Sequence, residues 1–446
     1  MYFQLKRFIM NKSYIGIIVA VVLSLSAYFF VGHFFDETQS RLVGIVVFLI
    51  TMWTNEVFPL GVVSLFPIIL FPFLDVLPIN DTTANYSKSI IFLFLGGFLL
   101  AIAVEKIELH KVIAHKLLGI FPSTARGIIF ALAITSAFLS SLLSNTTTAL
   151  LLMPIAIFLT DLPKLKIRLV LAVAYGASIG GIITPIGTPP NLILMGFLQE
   201  NNLEMLTFMG WMFKTIPLAI IMLIIIPFIL SIGTKNFTIE KKMENSYTLD
   251  SPQKRLLYIL GTLVIVLFVN SFFKASEAGI LLAFGLFMFM PKIGFIEWED
   301  TRKVPYEIMF LFGAGFSIAK AFSSTGLAFD ISQLLLNLTQ LSPLFLILLV
   351  AALITFTTEV TSNTALISIA LPIIYSLGMS SDINVHLLLM VATICASYAF
   401  MLPIATPPNA IAMSSKIVTI KDMARYGIMF NFIAIAMTTM VAMTIW

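Results

Sequence analysis

Residues 184–191 read Thr184-Pro185-Ile186-Gly187-Thr188-Pro189-Pro190-Asn191, and residues 402–409 read Leu402-Pro403-Ile404-Ala405-Thr406-Pro407-Pro408-Asn409. Each stretch interrupts an apolar segment. Proline lacks a backbone donor and clashes with the preceding turn, so a helix must unwind at either place. The shared Thr-Pro-Pro-Asn stands at an offset of 218 residues. The same offset relates Ser144-Asn145-Thr146 to Ser362-Asn363-Thr364 and Pro154 to Pro372. It also relates Phe92-Leu93-Phe94 to Phe310-Leu311-Phe312, and Gly97-Phe98 to Gly315-Phe316. Four blocks in one register define an internal repeat.

The chain around these blocks is built for lipid. Of 446 residues, 59% are hydrophobic and 11% charged, against about 25% charged in soluble domains. Apolar runs long enough to cross a hydrocarbon core of about 30 Å recur throughout. The class is therefore an α-helical membrane protein. The first apolar run, Ile15 to Phe35, follows Lys6, Arg7 and Lys12 and is too long for a cleaved signal, so it reads as the first span. One cysteine, Cys395, excludes a disulfide framework and any Cys-based metal site. Basic residues are scattered beside spans rather than gathered in a stripe, which argues against nucleic acid.

Eleven spans are expected: 14–35, 41–58, 60–76, 88–106, 168–198, 207–232, 255–273, 277–291, 305–323, 386–415 and 425–446. The fifth and tenth are broken by the proline stretches. The apolar segments 127–160 and 343–377 carry polar centres and read as re-entrant hairpins, because irregular backbone at membrane depth must line a cavity. With the N-terminus in the cytoplasm, 21 of 26 Lys and Arg fall on that side, and the outer loops 199–206 and 375–385 carry none. The C-terminus then lies outside. Residues 1–40 hold the first span, 41–232 the first repeat, 233–258 a cytoplasmic linker and 259–446 the second repeat. Five spans per repeat is an odd number, so the second copy enters from the opposite side. Inverted repeats of this kind mark secondary carriers whose sites lie at the repeat interface near the midplane.

Each repeat thus contributes a hairpin tip with Ser-Asn-Thr and a proline break. Freed carbonyls and hydroxyls suit a hard cation such as sodium, while helix N-termini, hydroxyls and amides suit a carboxylate. One Ser-Asn-Thr within a span is ordinarily a helix-packing patch. Two symmetry-related copies, each with its own break, point to a site. The Phe-Leu-Phe and Gly-Phe blocks carry no chemistry and read as packing. Glu359 lies three residues before the second Ser-Asn-Thr, where the first repeat has Ser141; it either anchors the hairpin or serves the site. The four histidines sit away from the motifs, with His110 and His115 on an amphipathic, interfacial stretch, Leu109–Phe121. No His-Asp-Glu relay crosses the core, which favours sodium over proton coupling.

The twin Ser-Asn-Thr hairpins, the twin Thr-Pro-Pro-Asn breaks and IIFLFLGGF at 90–98 resemble the divalent-anion:sodium symporter family, the INDY-type dicarboxylate carriers. The resemblance covers nearly the whole chain. It implies a homodimer in a bacterial plasma membrane, with a transport domain moving as an elevator against a scaffold. It further implies sodium-driven uptake of C4-dicarboxylates such as succinate, malate and fumarate. Carried over position by position, one sodium site falls on Ser140, Ser144, Asn145 and Gly187, and a second on Thr358, Thr361, Asn363 and Ala405. Thr361 departs from the family's usual small alanine. Substrate carboxylates would meet Ser144, Asn145, Thr146, Thr188, Ser362, Asn363, Thr364 and Thr406, with Pro407 lining the pocket.

Other readings remain open at this level. Some members of the family exchange dicarboxylates without a sodium gradient, and citrate or another small anion is an alternative cargo. A channel or oxyanion pump subunit would give flux without saturation. An intramembrane enzyme lacks support, since the spans show no metal-binding His pair, nucleophile motif or carboxylate dyad.

Overall fold

A computed structural model describes residues 2–55, 57–234, 249–273, 275–334, 342–381 and 383–446, with side chains described from residue 14 and excepting 271 and 332. Most of the expected linker (235–248), Glu56 and Lys274 therefore lie outside the described residues. Among the described residues the elements are helices, and no strand occurs. Among these residues five segments are long and apolar enough to cross a membrane, with mean hydropathy from 1.5 to 2.5.

The first long helices, α1 (Tyr2–Val31) and α2 (Glu37–Asn55), pack together. Two of the expected spans are not single helices. Segment 60–76 forms α3 (Leu60–Val63) and α4 (Phe66–Phe73), interrupted at Ser64-Leu65, and Pro67 and Pro72 leave this run short of backbone donors. A short helix α5 (Ile79–Ala84) then leads into α6 (Ser89–Lys106). Hydropathy alone does not register such breaks.

The amphipathic α7 (Leu109–Ile120) follows, as its pattern predicts. Next come α8 (Ala125–Ser140) and α9 (Asn145–Phe158), joined by the turn Ser141–Ser144. Their 16 and 14 residues rise about 24 and 21 Å, short of a full crossing. Helix α10 (Pro163–Gly181) leads to the first proline break, and α11 (Pro189–Glu200) and α12 (Phe208–Leu230) continue beyond it.

The second half opens with α13 (Ser251–Phe273) and α14 (Glu277–Phe287). The expected span 277–291 is reduced to the 11 residues of α14, about half a hydrocarbon thickness. Pro291 follows, and Phe295 N–H returns to the carbonyl of Met288 at 2.7 Å, turning the chain back. Then come α15 (Tyr306–Ser324), α16 (Leu327–Leu334), α17 (Pro343–Thr358) and α18 (Asn363–Met379). The chain closes with α19 (Val385–Cys395), α20 (Pro407–Ser414) and α21 (Ile420–Thr444).

The offset of the motifs recurs in the elements. Helices α17, α18 and α20 start at Pro343, Asn363 and Pro407, and α8, α9 and α11 at Ala125, Asn145 and Pro189, each pair 218 residues apart. The residues preceding α11 and α20 share one extended geometry: Thr188 at φ −149° and ψ 148°, Thr406 at φ −143° and ψ 149°. Phe94 stacks on Phe312, its own repeat counterpart, with ring centroids 4.3 Å apart and planes inclined by 30°. A residue meeting its counterpart in this way sits beside the axis relating the two copies. Phe94 and Phe312 thus pack against each other.

Two apolar cores result. A smaller one joins α1–α4 to one face of α15, and a larger one gathers α6, the hairpins and the broken helices. Elsewhere α1 and α13 turn outward large side chains such as Ile18, Phe29, Ile265 and Phe272. Burial of this surface in hydrocarbon is the arrangement lipid favours.

Candidate functional site

Each hairpin tip meets the break of its own repeat through backbone hydrogen bonds. In the first repeat, the Thr184 hydroxyl donates to the Ser141 carbonyl at 2.7 Å. In the second, Glu359 stands in place of Ser141 and Leu402 in place of Thr184. There the Glu359 carboxyl accepts from the N–H groups of Phe400 (2.8 Å), Met401 (2.9 Å) and Leu402 (3.0 Å), and from Asn431 Nδ2 (2.6 Å). Glu359 is buried, so four donors converge on one acceptor away from water. Of the two roles open to it, the geometry assigns the anchor.

The asparagine of Thr-Pro-Pro-Asn closes each break. Asn191 Nδ2 donates to the carbonyls of Gly181 and Thr184, both at 2.9 Å. Asn409 Nδ2 donates to Ala399 (2.8 Å) and Leu402 (3.1 Å), the corresponding residues of the second copy. The carbonyls of Ile182 and Ile183 accept from Trp211 and Thr215, and that of Phe400 accepts from Tyr175. This corrects one expectation. Carbonyls freed where the helices end are used to hold the break, leaving the later turns at Gly187 and Ala405 nearest the cavity. A side chain at Gly187 would come within 2.5 Å of the Gly181 carbonyl, so only glycine permits this fold-back.

The two tips and two breaks enclose one cavity of about 700 Å³, within the range of roughly 300–1,000 Å³ usual for small-molecule sites. All nine residues proposed for substrate line it: Ser144, Asn145, Thr146, Thr188, Ser362, Asn363, Thr364, Thr406 and Pro407. Exposure is uneven. Ser144 and Thr146 are exposed, whereas Ser362 and Asn363 are half-buried and Thr364 is buried. The Thr406 hydroxyl is buried without a partner, an orphan donor that a bound oxygen would satisfy.

Of the residues carried over for sodium, Ser144, Asn145, Gly187, Asn363 and Ala405 line the cavity. Ser140 lies behind the first tip, fully buried, and its hydroxyl donates to Asn145 Oδ1 at 2.5 Å. Ser144 caps α9, its Oγ accepting from Thr147 N–H at 3.0 Å. In the second repeat, Thr358 donates to the Ala396 carbonyl at 3.0 Å and Thr361 to the Thr357 carbonyl at 2.9 Å. Neither threonine lines the cavity, although each hydroxyl oxygen keeps lone pairs to offer. The donor set is therefore hydroxyl, amide and carbonyl oxygen, the chemistry of a hard, weakly held cation. No cluster of three His, Cys, Asp or Glu suited to a metal occurs among the described residues.

Part of the wall lies outside the Ser-Asn-Thr and Thr-Pro-Pro-Asn motifs, and its two phenylalanines from the repeated aromatic blocks read as packing alone in the sequence. Trp53, Phe58 and Leu60 line it from the α2–α3 junction, Phe94 and Phe98 from α6, and Glu307 from the first turn of α15. Glu307 is the only ionisable side chain among the described residues lining the cavity, and no Lys, Arg or His joins it there. Setting the repeats side by side gives the missed signal: Lys88-Ser89 in one copy stands where Tyr306-Glu307 stands in the other.

Comparison with known proteins accords with this geometry. The family described as "Citrate transporter" matches residues 45–395. A sodium-dependent dicarboxylate transporter, SdcS, of Staphylococcus saprophyticus is 30% identical, the alignment covering 97% of this chain and 92% of that protein. SdcS of Staphylococcus aureus strain NCTC 8325 is also 30% identical, with 88% and 83% covered. Among solved structures, the YdaH transporter of Alcanivorax borkumensis superposes with a TM-score of 0.61 at 14% identity, covering 91% of this chain and 98% of that one. MtrF of Neisseria gonorrhoeae, described as representing a class of antimetabolite efflux pumps, gives 0.62 at 13% identity, covering 83% and 84%. At such low identity these two speak to the fold alone. With one family matched over most of its length and relatives alike from end to end, this chain belongs to the citrate transporter family, among the divalent-anion:sodium symporters.

Proposed function

We propose that the protein is a secondary carrier that takes up a C4-dicarboxylate (succinate, malate or fumarate) together with sodium. One observation carries the reading: both Ser-Asn-Thr tips and both Thr-Pro-Pro breaks face a single cavity without a basic side chain among its described lining. A dianion entering such a cavity must be neutralised by something other than Lys or Arg. Helix N-termini at Asn145, Pro189, Asn363 and Pro407 supply part of the positive potential. Co-bound sodium supplies the rest. A cation and a carboxylate about 4 Å apart attract by on the order of 4 kcal/mol at an effective dielectric near 20, roughly a thousandfold in affinity. Coupling therefore needs no direct contact between ion and substrate.

In this reading the two copies are inverted, the tips are re-entrant, and each asparagine serves a cation and a carboxylate together. The wall segments 57–60 and 307–308 fall on the side rich in Lys and Arg. This supports an opening toward the cytoplasm, with the N-terminus on the same side. Motion of the two tips and their breaks as one body, against α6 and α15, would carry the cavity across. The homodimer implied by the resemblance belongs to the same proposal. The test is uptake of labelled succinate into proteoliposomes with sodium, lithium or potassium outside, competed by malate, fumarate, 2-oxoglutarate, citrate and sulfate. Uptake indifferent to the cation, but requiring dicarboxylate inside, would replace symport by exchange.

A further inference from the structure

Glu307 stands out as the one charge among the described residues of the wall. It lies in the first turn of α15, is exposed, and has no hydrogen bond or ion pair among the described residues. An acid in a helix's first turn is commonplace, because the helix N-terminus favours it. That explanation accounts for its presence on α15 but not for its place on the wall of an anion's cavity. The nearest bases in sequence, Arg302 and Lys303, are exposed and do not line the cavity. Lys106 is occupied by Asp300 at 2.6 Å.

The repeat sharpens the point. The first copy's equivalent of Tyr306-Glu307 is Lys88-Ser89. Ser89 does not line this cavity; its hydroxyl donates to Gln199 Oε1 at 3.1 Å, and neighbouring Lys88 pairs with Glu200, which Lys320 approaches at 3.7 Å. In an inverted-repeat carrier, the two copies exchange conformations when the cavity opens to the other side. The mouth marked by Glu307 on one side is then marked by Lys88 and Ser89 on the other. At this position the two copies differ, a Glu307 unpaired among the described residues against an ion-paired Lys88 and a serine, although the binding motifs between them are matched.

We propose that Glu307 weakens dicarboxylate binding in the cytoplasm-facing state and so speeds release there, while the direction of net transport stays with the gradients. This rests on the carrier reading above. A carboxylate near the mouth repels a dianion twice as strongly as a monoanion and leaves the outward-facing site untouched. At a separation near 10 Å in water, the effect on a dianion is about three- to tenfold in affinity.

The experiment compares right-side-out and inside-out membrane vesicles carrying the wild-type protein, Glu307→Gln, Glu307→Ser and Glu307→Asp. The KM for succinate is measured on each face at fixed sodium. Glu307→Gln and Glu307→Ser are expected to lower the cytoplasmic-face KM about three- to tenfold, leave the outer-face KM unchanged, and leave Glu307→Asp near wild type. The gap between wild type and Glu307→Gln should narrow when choline chloride raises the ionic strength, since screening acts on a charge and not on packing. Equal changes on both faces, a change on the outer face alone, or a gap indifferent to ionic strength would each overturn the proposal. Wild-type vesicles that carry no dicarboxylate on either face would instead reject the carrier reading itself.

Discussion

Asn145 and Asn363 occupy the two points where hairpin tip and cavity meet, and each begins a helix. Asn145 is already held by Ser140, so its amide is positioned before any ligand arrives. Replacing either asparagine with alanine should reduce succinate transport at least a hundredfold while the protein still extracts and purifies as wild type. Glu359 behaves in the opposite way. Glu359→Ala strands three backbone N–H groups and the Asn431 amide, a loss of about 3–5 kcal/mol. The expected result is a lowered melting temperature in detergent, with the KM of the surviving protein near wild type. A raised KM at unchanged melting temperature would return Glu359 to the site. At this scale the sequence showed where the polar chemistry lies, because each motif occurs twice. It did not show which oxygens are spoken for. Asn191 and Asn409, which repeat as faithfully as the proposed ligands, have their Nδ2 groups engaged in holding the breaks.

Among the elements, the breaks matter more than the spans. Prolines at 185, 189, 190, 403, 407 and 408 forbid a continuous helix, and their spacing made both breaks readable in advance. Segments 60–76 and 277–291 read as unbroken because hydropathy measures only apolarity; in α4 prolines, and after α14 a backbone return at Met288, divide or shorten the helix. The hairpin–break contact predicts a further asymmetry. Asn409→Leu leaves the carbonyls of Ala399 and Leu402 without their donor, at a cost of about 2 kcal/mol. It should also displace Thr406 and Pro407, so transport falls and half-saturation by sodium rises. Thr184→Val, which removes one hydrogen bond to Ser141, should cost about 1 kcal/mol and leave most activity. Thermal melts and sodium titrations on the two variants check this order.

For the whole molecule, the exposed apolar faces of α1 and α13 and the distribution of Lys and Arg set its place in the membrane. Sidedness can be read with one background substitution. Cys395 is the only cysteine and is fully buried, so Cys395→Ala gives a chain without reactive thiol. In that background Glu204→Cys should react with an impermeant maleimide on intact cells, and Lys164→Cys only after permeabilisation. The reverse pattern would invert the orientation. Charge asymmetry along the chain predicts this orientation; the closeness of the two copies has no counterpart in the sequence and shows in the stacking of Phe94 on Phe312.

In the proposed carrier, a cavity with no basic side chain among its described lining binds a dianion because sodium binds with it. Its most direct measurement is succinate uptake by purified protein in proteoliposomes, with the sodium gradient imposed, abolished or replaced by potassium. An inward sodium gradient should drive accumulation above equilibrium, and potassium should reduce uptake to the level of empty liposomes. Accumulation that persists in potassium would contradict the account.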